Sequence, residues 1–173
     1  MLEVEAKFRA DLSEVRGRLL KLGAVLLEKK TEIDVYYQHP CRDFAETDEA
    51  LRVRYVDGAA EVTYKGPRLA ASAKTRLELS ASAEGEVDSI LTALGFNKVA
   101  SIKKTREYYS YRSFTISLDR VEGLGDFVEI EAVASSPDVV KSIEDEIAEL
   151  AERLGLRERV ESTYLELFLQ RAR

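Results

Sequence analysis

Charged and apolar residues alternate along Glu3-Val4-Glu5-Ala6-Lys7-Phe8, the pattern of a strand whose two faces differ. Side chains of a strand project to opposite faces in turn, so Glu3, Glu5 and Lys7 share one face and Val4, Ala6 and Phe8 the other. An amphipathic helix is predicted over 11–22. Asp11 and Glu14 have capping-box spacing, Val15, Leu19 and Leu22 form its apolar stripe, and Gly23 stops it. The same succession, a charged alternating strand and then a helix ending in Leu-Gly, recurs twice. Lys74, Arg76, Glu78 and Ser80 alternate with Thr75, Leu77 and Leu79 ahead of a helix carrying Val87, Ile90, Leu91 and Leu94, closed by Gly95. Glu129 and Glu131 alternate with Val128, Ile130 and Ala132 ahead of a longer helix with Ser136 as expected N-cap, Pro137 in its first turn and Gly155 as C-cap. Its stripe is Val139, Val140, Ile143, Ile147, Leu150 and Leu154.

Between these units the alternation continues. Arg52 and Arg54 share a face, as do Glu61, Thr63 and Lys65, then Lys104, Arg106 and Tyr108, then Thr115, Ser117 and Asp119. Asp57-Gly58 reads as a hairpin turn, and Gly123-Leu124-Gly125-Asp126 as the turn before the Glu129 strand. Gly66 to Ser72 reads as a loop with the small residues of a mobile flap, and a short helix is expected over 163–170. The sum is an α+β chain of about eight mostly antiparallel strands. No stretch has linker composition, so 1–173 is expected to form a single domain.

Two arrangements satisfy such alternation: an open sheet with its charges in water, or a closed barrel with its charges inside. Scattered surface charge needs no particular order of sign. Here the carboxylates pair on the first and last of these strands, while Arg52, Arg54, Lys65, Arg76, Lys104 and Arg106 fall on those between. That sorting favours a closed antiparallel barrel, a tunnel with helices packed outside, and a barrel of about eight strands can hold one small ligand. Charges taken out of water must be paired or bound to metal. A lumen of many cations beside several carboxylates therefore calls for a highly charged anion with its metals, and triphosphate with Mg2+ or Mn2+ fits best. Paired carboxylates offer the oxygen ligands those ions prefer, and basic groups beside them can grip the phosphate. Glu61 and Glu78 are expected to serve as salt-bridge partners of tunnel cations.

Composition narrows the choice. The chain is 45% hydrophobic and 34% charged, as a globular protein is. Its net charge of −6 opposes binding to long nucleic acid, which needs an extended basic surface. No apolar run approaches the ~20 residues of a membrane span, and Glu3 and Glu5 stand where a signal peptide would be basic, so neither is expected. A single cysteine, Cys41, favours a reducing cytoplasm, and with the lone His39 it falls short of the ~4 ligands of a zinc site.

Seven segments in order resemble the CYTH domains, also called triphosphate tunnel metalloenzymes: Glu3-Val4-Glu5-Ala6-Lys7, Asp34-Val35-Tyr36-Tyr37, the run from Cys41 to Arg54, Thr63-Tyr64-Lys65-Gly66-Pro67, Arg76-Leu77-Glu78, Lys104-Thr105-Arg106, and Leu118-Asp119 with Gly123 to Glu131. The Arg42-Asp43-Phe44 loop and Ser162 to Leu167 look most like the class IV adenylyl cyclase branch. The resemblance implies that Glu3, Glu5, Glu129 and Glu131 hold the divalent metals, with Asp119 as a further ligand or proton acceptor. It implies that Lys7, Arg52, Arg54, Lys65, Arg76, Lys104 and Arg106 grip phosphate oxygens. The implied reaction is conversion of ATP to cyclic AMP and pyrophosphate, or else hydrolysis of thiamine triphosphate or inorganic triphosphate. A binding module without turnover is the third reading. A homodimer is implied by the cyclase branch, with Tyr164, Leu165 and Phe168 as one conceivable contact, although packing of the last helix on the barrel accounts for them better. Glu32, where the family often has Gln, adds a carboxylate without an assigned role.

Overall fold

The computed structural model describes residues 2–68 and 76–171. Antiparallel pairing runs without a break through β5 (Arg76–Ala83), β4 (Ala59–Arg68), β3 (Ala50–Val56), β2 (Val25–Gln38), β6 (Asn97–Tyr111), β7 (Phe114–Val121), β8 (Gly125–Ala134) and β1 (Leu2–Arg9). β1 then returns to β5 through Leu2 opposite Leu77 and Glu3 opposite Arg76, which closes the expected eight-stranded barrel. A two-residue strand, β9 (Glu158–Arg159), adds to the outer edge of β1. Among the described residues four α-helices accompany the strands: α1 (Leu12–Lys21), α2 (Val87–Ala93), α3 (Val140–Leu154) and α4 (Tyr164–Arg171). None of the described helices is long and apolar enough to cross a membrane.

Alternation decides which face each strand turns outward. Val4, Ala6 and Phe8 of β1, Ile116 and Leu118 of β7, and Val128 and Ile130 of β8 are buried beneath α1 and α3, whose Leu12, Val15, Leu19, Ile147, Leu150 and Leu154 complete that cluster. Val87 of α2 covers Val35 and Val53, while Ile90 and Leu94, expected in the same stripe, stand exposed because this seven-residue helix meets the barrel along one short line. α4 packs its Tyr164, Leu167 and Phe168 against Ile102, Val121 and Phe127. The last helix is thus spent on the barrel, as expected.

Local chemistry explains the ends. Asp11 accepts from the Ser13 and Glu14 amides at 2.8 and 3.0 Å and so caps α1. Asp57 and Gly58 both have positive φ, 50° and 84°, the geometry of a primed hairpin turn. Gly155 ends α3 in the left-handed region. Two expectations shift. Ser136 makes no side-chain cap, because residues Pro137–Val139 form a 3-10 turn and the α-helix starts at Val140. Gly66 to Arg68 continue β4 instead of opening a loop: the strand is irregular there, which admits Pro67, and the Arg68 amide donates to Asp48 Oδ2 at 2.8 Å. The rest of that expected flap, with Lys74 and Thr75, lies outside the described residues.

One outer cluster makes stability depend on acid. Glu107 of β6 accepts from Arg16 Nε and Nη2 at 2.9 and 3.0 Å, from Tyr109 at 3.1 Å, and pairs with Lys29 at 3.1 Å. The Arg16 hydrogen bonds, opposed by burial, lower its carboxyl from 4.5 to about 2. A carboxyl depressed on folding adds stability above its unfolded value, lost as pH falls through the folded one. Urea denaturation should therefore show stability declining from about pH 4.5 towards pH 2. Glu107→Gln should be less stable at pH 6 and decline less steeply; an unaltered slope would remove Glu107 from this role.

Candidate active site

The β1–β8 register places the carboxylates. Glu5 lies opposite Glu131 and Lys7 opposite Glu129, while Glu3 meets Arg76 across the closing seam. Glu3, Glu5 and Glu131, all half-buried, each offer an oxygen, and these three atoms lie within 4.8 Å of one another. Carboxylates packed so closely resist ionising together. Burial raises Glu131 from 4.5 to about 7, opposed by Arg106 and reinforced by Glu5 and Glu129. Burial likewise raises Glu3 to about 8 against the pull of Lys65, with Glu5 and Glu78 adding to it. An oxygen-only donor set of this spacing suits a hard divalent cation, which would also relieve the repulsion.

Two further expected ligands, Glu129 and Asp119, stand against cations. Glu129 Oε1 stands 3.2 Å from Lys7 Nζ, and its Oε2 accepts from Arg106. Asp119 is wholly buried, with Oδ1 accepting from Arg106 Nε at 2.5 Å and Oδ2 accepting from Arg106 Nη2 and, at 2.6 Å, from the Tyr164 hydroxyl. The reason is register: β6 sets Arg106 directly opposite Asp119, and β1 sets Lys7 opposite Glu129, so both carboxylates are engaged by cations. Among the described residues the close acidic trio comprises Glu3, Glu5 and Glu131 without them.

The cations are themselves held by carboxylates on β2. Arg54 donates to both oxygens of Asp34, at 2.7 and 2.9 Å, and lies 3.0 Å from Glu32. Lys104 Nζ donates to Asp34 at 2.6 Å and is 3.3 Å from Glu32. Glu32 also accepts from Tyr108 at 2.5 Å. This gives Glu32 its role, a buried counter-charge for Arg54 and Lys104, and it revises the expected sorting by strand, since β2 brings two carboxylates into the middle of the cations. Burial works against the Asp34 charge, yet Lys104, Arg52 and Arg54 hold it well below the usual 3.8. Burial beside Arg106 lowers Lys104 from 10.5 to about 8. Lys65 bridges Glu78 at 2.7 Å and Glu3 at 3.4 Å, and Arg52 approaches Glu61 at 3.9 Å, the partner roles expected of Glu78 and Glu61. Arg52 Nε is buried with no hydrogen-bond partner and lies 4.0 Å from Asp34 Oδ1.

These groups share one cavity of about 660 Å3, within the range of small-molecule sites. All the predicted site residues except Asp119 line it: Glu3, Glu5, Lys7, Arg52, Arg54, Lys65, Arg76, Lys104, Arg106, Glu129 and Glu131. Sequence reasoning passed over Asp34, whose signal was its place two residues from Glu32 on the same face of β2. It also passed over Asp48, Arg68 and Glu166, which line the cavity too: Arg68 donates to Asp48 at 2.7 to 3.0 Å and to Glu166 at 3.1 Å. Three separate segments meet there, and no local pattern announces the contact.

Such an arrangement offers basic groups suited to a polyanion beside an oxygen donor set suited to a divalent cation. The chain is 39% identical over 172 residues to a Methanocaldococcus jannaschii protein named provisionally as an adenylate cyclase, covering 96% of this chain and 98% of that protein. It is 30% identical over 161 residues to the adenylate cyclase CyaB of Aeromonas hydrophila, covering 89% and 81%. A solved Pyrococcus horikoshii OT3 structure superposes with TM-score 0.89 at 38% identity, over 98% of this chain and 99% of that one. The fold extends to a Hippeastrum protein at 16% identity and TM-score 0.70, covering 98% and 95%, an adenylyl cyclase by provisional name that is described as having dominant triphosphatase activity. Residues 1–164 match the CYTH domain, and the chain belongs to the CYTH family.

Proposed function

We propose that this chain is a divalent-metal-dependent enzyme that transfers a phosphoryl group of a triphosphate held in the barrel, with conversion of ATP to cyclic AMP and pyrophosphate as the leading assignment. One observation carries the reading: a trio of carboxylates within 4.8 Å of one another shares a single cavity with eight basic side chains. Glu3, Glu5 and Glu131 would hold Mg2+ or Mn2+; such an ion supplies charge neutralisation and Lewis acidity at a phosphoryl oxygen. Arg52, Arg54, Lys65, Arg76, Lys104, Arg106 and Lys7 would bind phosphate oxygens, Arg through its planar fork and Lys as a point charge. Phosphoryl transfer asks a protein mainly to position an in-line attack and to stabilise spreading charge, and both tasks fall to groups fixed on strands here. A binding module without turnover fits less well, because the carboxylates repel phosphate unless metals intervene.

Relatives of 30% identity or more that bear the cyclase name support the cyclase assignment, in which the ribose 3′-hydroxyl attacks the α-phosphorus and pyrophosphate leaves. Hydrolysis of the terminal phosphate of thiamine triphosphate or inorganic triphosphate is the second reading, supported by the number of charged side chains that line the cavity.

Incubation with Mg2+ or Mn2+ and each of ATP, thiamine triphosphate and inorganic triphosphate, followed by separation of products, should yield cyclic AMP from ATP. Orthophosphate alone would select the hydrolase, and tight triphosphate binding without turnover of any substrate would select the binding module. Glu5→Gln and Glu131→Gln should each lower turnover at least ~10²-fold while circular dichroism stays unchanged. Full activity in both would dismiss the acidic trio as a metal site. Lys65→Ala should weaken triphosphate binding measured by calorimetry, and an unaltered affinity would make Lys65 structural.

A further inference from the structure

Lys7 depends on contacts that its own strand does not supply. Its ammonium, almost wholly buried, lies 3.2 Å from Glu129 Oε1, donates to the Ser162 carbonyl at 3.3 Å and stands 3.7 Å from the centroid of the Tyr164 ring. Two of these three contacts come from the segment leading into α4. That segment is tied down on both sides. The Val160 amide donates to the Lys7 carbonyl at 2.8 Å, and Thr163 and Glu166 cap the start of α4 reciprocally, amide to side chain, at 2.6 and 3.1 Å.

Tyr164 itself is buried, its ring edge-to-face with Phe127 at 5.1 Å and its hydroxyl donating to Asp119 Oδ2 at 2.6 Å. Asp119 in turn grips Arg106 through both oxygens. One side chain therefore touches Lys7 with its face and reaches Arg106 through one intermediary. A lysine ammonium on its flexible stem is a mobile point charge. An aromatic face within ~6 Å attracts it and, once water is excluded, confines it.

We propose that Tyr164 is a positioning residue for the phosphate-binding cations: its ring sets the Lys7 ammonium and its hydroxyl sets the Asp119–Arg106 pair, so that the carboxy-terminal segment completes the site. The inference deepens the triphosphate reading and rests on it. Tyr164→Phe keeps the ring and loses the hydroxyl; Tyr164→Leu loses both.

Calorimetry with inorganic triphosphate and Mg2+ should show about threefold weaker binding in Tyr164→Phe and a further loss of about tenfold in Tyr164→Leu. KM should rise in step while kcat moves less. Equal losses in the two variants, or none in Tyr164→Leu, would overturn the role of the ring. Nuclear magnetic resonance supplies a readout that needs neither substrate nor the leucine variant. The Lys7 ε-methylene protons, assigned through Lys7→Arg, should be shifted upfield by the ring current in the unaltered protein and in Tyr164→Phe. Ordinary shifts in both would also overturn the proposal. An upfield shift together with no triphosphate binding by the unaltered protein would sink the phosphate reading itself and reduce the contact to architecture.

Discussion

Charge burial inside a closed barrel is the constraint on which this structure turns. Each ion taken out of water costs several kcal/mol unless a partner of opposite sign sits close and with good geometry. The partners are found across the ladder. Lys7 faces Glu129, Arg106 faces Asp119, Lys104 faces Glu32, Arg54 faces Asp34 and Lys65 faces Glu78. Strand register, fixed by the apolar residues on the outer faces, thus also assigns the ion pairs of the inner ones. A one-residue slip of β1, β7 or β8 would put its charges into the helix-covered core and its apolar residues into the lumen.

This pairing shapes the chemistry. Because the cations already have carboxylate partners, an entering polyanion must draw them from those partners or bring positive charge with it. The trio of Glu3, Glu5 and Glu131 sits where a divalent cation can be supplied, beside Lys65 and in the same cavity as the guanidinium groups. On the proposed reading, metal and phosphate binding would assist each other, the carboxylate trio taking the ion and the neighbouring basic groups the anion.

The segment after α3 adds a second level of organisation. β9 pairs with β1, the next residues wrap the Lys7 ammonium, and α4 then lies over Ile102, Val121 and Phe127 while its first turn is held by Arg68 through Glu166. The floor of the cavity is built by the strands and finished by the end of the chain. Arg68 joins this segment to Asp48 on the far side, so three distant parts of the sequence share one rim.

The period-two alternation was enough to read strands with one charged and one apolar face, because a strand must present its polar and apolar residues to different surroundings; choosing the barrel took the sorting of charge by strand and the CYTH resemblance. For the same reason Glu3, Glu5, Lys7, Arg54, Lys104 and Arg106 were legible as one lining. Alternation says which side a residue faces and nothing about what stands opposite. Only the folded register separated Glu129 and Asp119, neutralised by Lys7 and Arg106, from the trio of Glu3, Glu5 and Glu131. Only it gave Glu32 a purpose. The contacts of Tyr164 with Lys7 and of Arg68 with Asp48 and Glu166 join residues far apart in the chain, so tertiary packing alone could decide them.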